Sequence, residues 1–567
     1  MGRVRGRPPG LVALVALLGL AVPAIATSAP STPVPATAPD GTASLVVTFA
    51  EPPAPADARA LLAPLGPVRP LVPEAGVWSL RVAPDGALRA RALGIPGVSA
   101  AEWSLVRTSD DIVPAAPAAP TPLAPVTTPT DTYFTPDRQW DLFAPGTTWG
   151  ADLTGTPARP RIAILDSGID STHEEWSGPN SPLVRPWSAW TGKEQAEDWG
   201  RTGHGTHVAG TAAAPANGVG IVGVAPSGAG IGEIIPVQIS DKDGFSTDAT
   251  MMMGIRWAVA NGAKVINISA GGSGSSRAFQ QVIDWAFTRG ALLVASVGND
   301  GQDYNEVNYP AGYAHVLGVA AQCSTHVSAD CSTPGGLALF SDRNVSVDVV
   351  APGVDILSSV PRRITEGAIA PGYAVKEGTS MAAPYVTGLA ALIFAANPGA
   401  TPYQVMQQIM NTATDGGPAG RDLAYGDGFV NPRAALTLPL PPDDPTEGND
   451  DVTDVKGETA IAGGPGRVII QASIDVNNDP RDLYPVILRK GQTVRMRASG
   501  NGGARMRLAL WAPGTASVST IGAVPTASTR TASRRPRLAY TATRSGRWFV
   551  ELRGTSGRSA YTLEVTR

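Results

Sequence analysis

The chain has 567 residues, of which 43% are hydrophobic, and a formal net charge of -4. That length and apolar content allow three or four folded units with a sizeable core, and the near-neutral balance gives no sign of a nucleic-acid partner. A low charged fraction with 64 Gly and 52 Pro points to long ordered loops and linkers.

Taken in order, the N-terminus reads as a targeting segment. Arg3, Arg5 and Arg7 precede an apolar stretch at 11–20, and Ala24-Ile25-Ala26 is a small-x-small cleavage site. The apolar run is too short to span a bilayer, so residues 1–26 are expected to be a signal peptide for the general secretory route, since they contain no adjacent Arg pair. No later stretch holds roughly 20 uninterrupted apolar residues, and no stable membrane anchor is expected. After a Ser/Thr/Pro/Ala-rich segment at 27–40, strands at 44–49, 68–72, 76–82 and 98–106 with helices at 56–65 and 86–93 predict a small α+β domain of the β-α-β-β-α-β type. It ends in a Pro/Ala/Thr-rich stretch at 114–129, extended and easily cut. On these grounds alone it is either a propeptide or an N-terminal domain that stays attached.

From residue 161 strands and helices alternate. Strands are predicted at 161–165, 234–239, 264–269, 292–297, 316–320 and 347–350, and helices at 205–214, 248–261, 277–289, from Ser380 onward and at 403–411. The fold class is α/β, a mostly parallel sheet with helices on both faces. Reactive groups in such sheets gather at the carboxyl ends of the strands. Asp166 and Asn299 each follow an apolar strand, His204 stands at a helix start, and Ser380 stands in the first turn of an Ala- and Leu-rich helix, where backbone N–H groups point outward. A serine hydroxyl needs a base, an orienter for the base and donors for the oxyanion it creates. A carboxylate, an imidazole, an amide and a hydroxyl from four segments are the set that acyl transfer requires.

Other chemistries find less support. No His-Glu-x-x-His is present for a zinc peptidase and no Gly-x-Ser-x-Gly elbow surrounds Ser380. Gly218-Val219-Gly220-Ile221-Val222-Gly223 fits the dinucleotide fingerprint as a string, but it follows a helix instead of a strand. Cys323 and Cys331 are the only cysteines, which excludes a four-cysteine zinc site. In an exported chain they read as a local disulfide, with two free thiols as the alternative.

Three stretches carry a family resemblance: Asp166-Ser167-Gly168-Ile169-Asp170, Gly203-His204-Gly205-Thr206-His207-Val208-Ala209-Gly210 and Gly378-Thr379-Ser380-Met381-Ala382-Ala383-Pro384. In this order they resemble the signature boxes of the subtilases, the subtilisin-like serine peptidases, over residues 131–437. The resemblance implies Ser380 as nucleophile, His204 as base, Asp166 as its orienter and Asn299 as an oxyanion donor. It implies a substrate-pairing strand at Ser269, Ala270 and Gly271, with Gly298 on the pocket wall, where Val297-Gly298 stands in place of the Ala-Gly of many relatives. Asn267 begins an Asn-x-Ser sequon, but its strand context argues against glycosylation. His173 and His207 are expected to be structural, and His315 and His326 have no motif around them. No cofactor is implied for catalysis. The loop at 215–226 resembles a structural calcium loop, with Asn217 as a ligand and Glu175 at the position of a carboxylate that is more often Asp.

The small N-terminal domain then resembles the propeptides that help subtilases fold and block the cleft. After a Pro/Asp-rich stretch, strands at 467–474, 483–489, 493–498, 505–511, 537–543, 547–552 and 560–565 predict a β-sandwich. Its Lys490-Gly491-Gln492-Thr493-Val494 and Gly546-Arg547-Trp548-Phe549-Val550 resemble the bacterial pre-peptidase C-terminal domain. Arg495, Arg497, Arg505 and Arg507 alternate with apolar residues and read as a solvated sheet face, with binding of an anionic polymer as the alternative. The expected order is signal peptide 1–26, propeptide with linker 27–130, peptidase domain 131–437, linker 438–450 and sandwich 451–567. The whole reads as a secreted, monomeric serine endopeptidase that takes protein or peptide substrates and its own propeptide as partners. The rival from another class is an inactive subtilase-like protein whose cleft captures peptides.

Overall fold

The computed structural model describes residues 36–38, 41–109, 129–143, 159–227, 232–325, 329–444, 446–455, 460–461, 466–500, 503–518 and 523–567. The expected signal peptide, His326 and nearly all of the 114–129 stretch lie outside them.

The central body is a seven-stranded parallel sheet in the order Val349–Pro352, Val316–Gln322, Leu292–Ser296, Ala263–Ile268, Arg161–Asp166, Ile234–Gln238 and Trp187–Ser188. Its strands read as continuous apolar runs because both faces are covered. Alternate residues divide between two cores, as the two-residue strand period demands. Ile162, Ile164, Leu292 and Val294 face helices His204–Ala213, Thr379–Ala396 and Pro402–Thr412. Ala163, Leu165, Leu293 and Ala295 face Asp248–Ala260 and Arg277–Phe287. Thr379–Ala396 is long and apolar enough to cross a membrane, but 94% of that stretch is buried in the protein, as the central helix of a core.

The N-terminal domain is an antiparallel sheet in the order Val68–Val72, Val77–Val82, Ala43–Phe49 and Val98–Trp103, with helices Pro55–Leu62 and Gly86–Leu93. One sheet face packs on its own helices through Leu45, Val47, Trp78 and Leu80. The other sends Val46, Leu71, Val72 and Val77 into the core beneath Asp248–Ala260 and Arg277–Phe287. Here the structure departs from the predicted strand at 98–106. It stops at Trp103, and Val106–Thr108 pairs instead with Phe245–Thr247 of the central body. A partner strand from a distant segment, not local propensity, sets that break. A small sheet of Ile356–Ser359, Tyr373–Lys376 and Ala368–Ala370 was also not predicted.

The C-terminal region forms two four-stranded antiparallel sheets facing one buried core, consistent with a sandwich. Arg495, Arg497, Arg505 and Arg507 are exposed, and Arg497 pairs with Glu564. The stretch expected as a linker is structured at its end: the Ser473 N–H donates to Asp444 at 2.6 Å and the Leu483 N–H to the Asn449 carbonyl at 2.8 Å.

Candidate active site

Asp166 ends the strand Arg161–Asp166 at its carboxyl edge. Its Oδ1 accepts from the Ser167 N–H at 2.7 Å and stands 2.7 Å from His204 Nδ1. His204 opens helix His204–Ala213, preceded by Gly203 in the left-handed region. Both side chains are buried, so the carboxylate fixes the ring with its Nδ1 proton inward and Nε2 facing away.

Behind the pair, Asp198 ties the Asp166 turn to the first turn of the histidine helix. It accepts from Ser167 Oγ at 2.9 Å, the Thr206 N–H at 3.0 Å and Thr206 Oγ1 at 2.6 Å, and Ser167 Oγ accepts from the Gly205 N–H. Burial pushes the Asp198 carboxyl above its ordinary range against these hydrogen bonds.

Ser380 is the second residue of Thr379–Ala396, and its Oγ donates to the Ser269 carbonyl at 3.3 Å. A chain of 2.9 Å hydrogen bonds runs back from Thr387 Oγ1 to Asn267 Oδ1, from Asn267 Nδ2 to Ser269 Oγ, and from Ser269 Oγ to the Ser380 carbonyl. The serine turn is thereby fixed to strand Ala263–Ile268. The same chain occupies the fully buried Asn267 side chain, which has no access to a glycosylating enzyme.

Asn299 is oriented by Thr379, whose N–H and Oγ1 both donate to Asn299 Oδ1 at 2.9 Å. An amide whose oxygen meets two donors turns its NH2 end the other way. Gly298, before it, sits at φ 111°, and a Cβ there would lie 2.3 Å from Asp342 Oδ2. Only glycine fits this turn.

Beside Ser380, Gly271 exchanges two backbone hydrogen bonds of 2.9 Å with Thr108. The strand Val106–Thr108 thus lies between Gly271 and Phe245–Thr247. Its Arg107 is fully buried and reaches Asp248.

The other predicted residues divide by environment. His207 Nε2 donates to the carbonyls of Ile356 and Ala374, and His173 Nε2 to Gly372. Burial lowers the His173 pKa. Glu175 Oε1 accepts from the Ile221 N–H at 2.8 Å and from the Tyr373 hydroxyl, while burial pushes its carboxyl up to about 8. Asn217 Oδ1 accepts from the Val219 N–H at 2.9 Å. Asp131, which sequence reasoning missed, accepts from the Asn217 and Gly218 N–H groups in the same loop. Cys323 and Cys331 form a disulfide. Asp198, Asp248 and the orienting role of Thr379 were also missed; Thr379 lay inside the Gly-Thr-Ser string and Asp248 at the start of a predicted helix, while nothing drew notice to Asp198.

A parallel α/β body with a carboxylate–imidazole pair, a helix-borne serine and an oriented amide at one sheet edge is the architecture of a serine hydrolase. Residues 158–428 match the family model described as the subtilase family. The chain is 36% identical over 282 residues to subtilisin of Bacillus pumilus, covering 49% of this chain and 92% of that one. It is 34% identical to M-protease of Shouchella clausii (strain KSM-K16), covering 54% and 74%. It is 38% identical to fervidolysin of Fervidobacterium pennivorans over 57% of this chain, and spans about half (47%) of that relative. The crystal structure of fervidolysin, described as a keratinolytic enzyme related to subtilisin, superposes with a TM-score of 0.60 at 23% identity, over 89% of this chain and 84% of that one, a likeness of fold. The chain belongs to the subtilase family of serine endopeptidases.

Proposed function

We propose that this protein is a secreted serine endopeptidase, made as a zymogen that processes itself, which cuts peptide bonds through an acyl-enzyme on Ser380. The observation that carries the reading is the buried 2.7 Å contact of His204 Nδ1 with Asp166, at the sheet edge that also carries Ser380 and Asn299. Ser380 Oγ attacks the scissile carbonyl while His204 Nε2 takes its proton and returns it to the leaving amine. Asp166 holds the imidazole in the required tautomer and stabilises the imidazolium as it forms. The Asn299 amide and the Ser380 N–H stabilise the tetrahedral oxyanion, a side-chain donor contributing about 3 to 4 kcal/mol of barrier. Water then repeats the sequence on the acyl-enzyme, with His204 again as base. A substrate lies extended along Ser269, Ala270 and Gly271, with Gly298 beside the reacting residue.

The N-terminal domain is the inhibitor in this reading, because Val106–Thr108 fills the track where a substrate would pair. Ser380→Ala is expected to accumulate as a species that still carries the N-terminal domain, visible by mass spectrometry. Normal maturation of the purified variant on its own would sink self-processing. Export rests on the N-terminal sequence, and the Cys323–Cys331 disulfide suits an oxidising destination.

Structural calcium fits two oxygen sets. In the loop at Asn217, Glu175 Oε2 and Asp131 Oδ2 are buried without a hydrogen-bond partner among the described residues. At the start of the sandwich, ligand oxygens of Asp444, Glu447 and Asp479 lie within 4.8 Å of one another. Asp479 is fully buried and neither of its carboxylate oxygens has a hydrogen-bond partner among the described residues. Burial, and the charges of Glu447, Asp482, Asp450 and Asp444, push its pKa well above the ordinary range. A hard cation with oxygen ligands would relieve both places.

A further inference from the structure

Arg107 enters the central body as part of an extended strand, and among the described residues every acceptor around its guanidinium belongs to that body. Its Nε donates to Asp248 Oδ1 at 2.7 Å, Nη1 to the Gly272 carbonyl at 2.5 Å and the Ser273 carbonyl at 3.1 Å, and Nη2 to the Gly274 carbonyl at 2.9 Å. Neither Arg107 nor Asp248 is more than 1% exposed. One carboxylate and three carbonyls arranged around a planar fork match the donor geometry of arginine. A lysine ammonium would meet only part of the set, and an apolar side chain would leave a buried carboxylate and carbonyls unpaired.

The socket has a defined place relative to the serine. Thr108 pairs with Gly271 in antiparallel register, so a chain in this register meets Ser269 two residues further on. The Ser269 carbonyl is the group that Ser380 Oγ touches. The side chain in the socket therefore belongs to the fourth residue before the bond presented to Ser380. Neighbouring backbone contacts hold the strand at this point: the Asp248 N–H donates to the Leu105 carbonyl at 3.1 Å, and Ser246 Oγ to the Arg107 carbonyl at 3.3 Å.

We infer that the Asp248 socket is a specificity site of the mature enzyme, selecting protein and peptide substrates with arginine at the fourth residue before the cleaved bond. The inference rests on the endopeptidase reading and deepens it: Arg107 of the N-terminal domain holds the socket until that domain leaves, and substrate arginine then replaces it. No other side-chain carboxylate contacts the guanidinium among the described residues, so Asp248 carries the charge recognition.

The test uses mature enzyme and fluorogenic peptides that differ only at the fourth residue before the cut, as Arg, citrulline, Lys or Leu. Arg is expected to exceed Leu by roughly a hundredfold in kcat/KM, and citrulline, which keeps the shape but not the charge, to fall between them. In Asp248→Asn the Arg-to-citrulline ratio should collapse toward one. Because the peptide series needs no variant, the outcome stands even if the substitution impairs folding. Cleavage of Leu and Arg peptides at equal rates, with Ser380 labelled by an organophosphonate, overturns this inference alone and leaves the buried pair as a docking contact. A mature protein that neither cuts nor labels overturns the endopeptidase reading and this inference with it.

Discussion

On one side of the catalytic body the N-terminal domain docks by imitating what a substrate or a solvent molecule could supply. Glu102 Oε2 accepts from Ser276 Oγ at 2.9 Å and from the Arg277 and Ala278 N–H groups at the start of helix Arg277–Phe287. Val106–Thr108 adds a strand, and Glu74 meets Arg256 where both side chains are 44% exposed. On the other side the C-terminal sandwich docks through ion pairs that are largely buried. His315 is fully buried between Asp284 at 2.9 Å, Glu447 at 2.7 Å and Asp450 at 3.5 Å. Burial disfavours its charge, but these carboxylates hold its pKa well above the ordinary range. Asn478 of the sandwich donates to Asp348, which also takes Arg421, and Arg558 reaches Asp427. Caps and strand pairing are contacts that release singly, with water or substrate as replacement, and the buried ion pair of this seam, Arg107 with Asp248, is one that a substrate arginine can replace. Where no substrate can take over, largely buried ions left without partners are costly, so the second seam opens as a unit or not at all. The first seam therefore releases more readily than the second, which suits the zymogen reading proposed above.

Removing the cation proposed at the second seam should have the largest effect. With calcium at a thousandfold excess over its Kd, binding adds about 4 kcal/mol of stability, and chelation should lower the Tm by on the order of 10 °C. Differential scanning calorimetry with and without chelator reads this, and added calcium should restore it. Asp479→Asn should lose part of the calcium response, leaving the share that belongs to the loop at Glu175. Identical melting of the parent in chelator and in calcium would remove calcium from the account of the fold.

How much of this was legible in advance follows from what a sequence encodes locally. Asp166, His204, Asn299 and Ser380 stand out because each sits at the junction of an apolar run and a turn, where strand ends and helix starts collect reactive groups. Gly86–Leu93 could be bounded from its own residues, since Asp85 caps it and Gly94 follows it. Arg107 and Asp248 are 141 residues apart, and neither has a local pattern that names the other. Asp198, in the acidic pair Glu197-Asp198, has no local pattern that shows the first turn of the histidine helix bonding to it. The end of the 98–106 strand was invisible for the same reason, because Phe245–Thr247 decides it from across the chain. Chemistry concentrated in one turn is readable; complementarity between distant segments is not.

The next effect in size probes the releasable seam. Glu102→Ala removes an acceptor shared by three donors at a helix start, a capping loss of about 1 to 2 kcal/mol. Inhibition of mature enzyme by the released N-terminal domain should weaken roughly tenfold. An unchanged inhibition constant would mean that water replaces the carboxylate at no cost. It would place the affinity of this seam in the strand at Val106–Thr108 and in the apolar contacts of Val46, Leu71 and Val72.

The smallest effect is expected at Glu74 and Arg256, although their geometry is the best that an exposed pair offers. Arg256 Nε and Nη2 reach the two carboxylate oxygens at 2.7 and 2.6 Å. Both side chains remain open to solvent, so ordering them offsets most of the attraction and salt screens the remainder. Arg256→Ala should weaken inhibition by the N-terminal domain less than about fivefold, within the ~1 kcal/mol of exposed pairs, and by less still at high salt. A loss as large as that of Glu102→Ala, and insensitive to salt, would show that this edge of the seam is dry in the complex. The two seams would then differ in the number of their buried charges and no longer in kind.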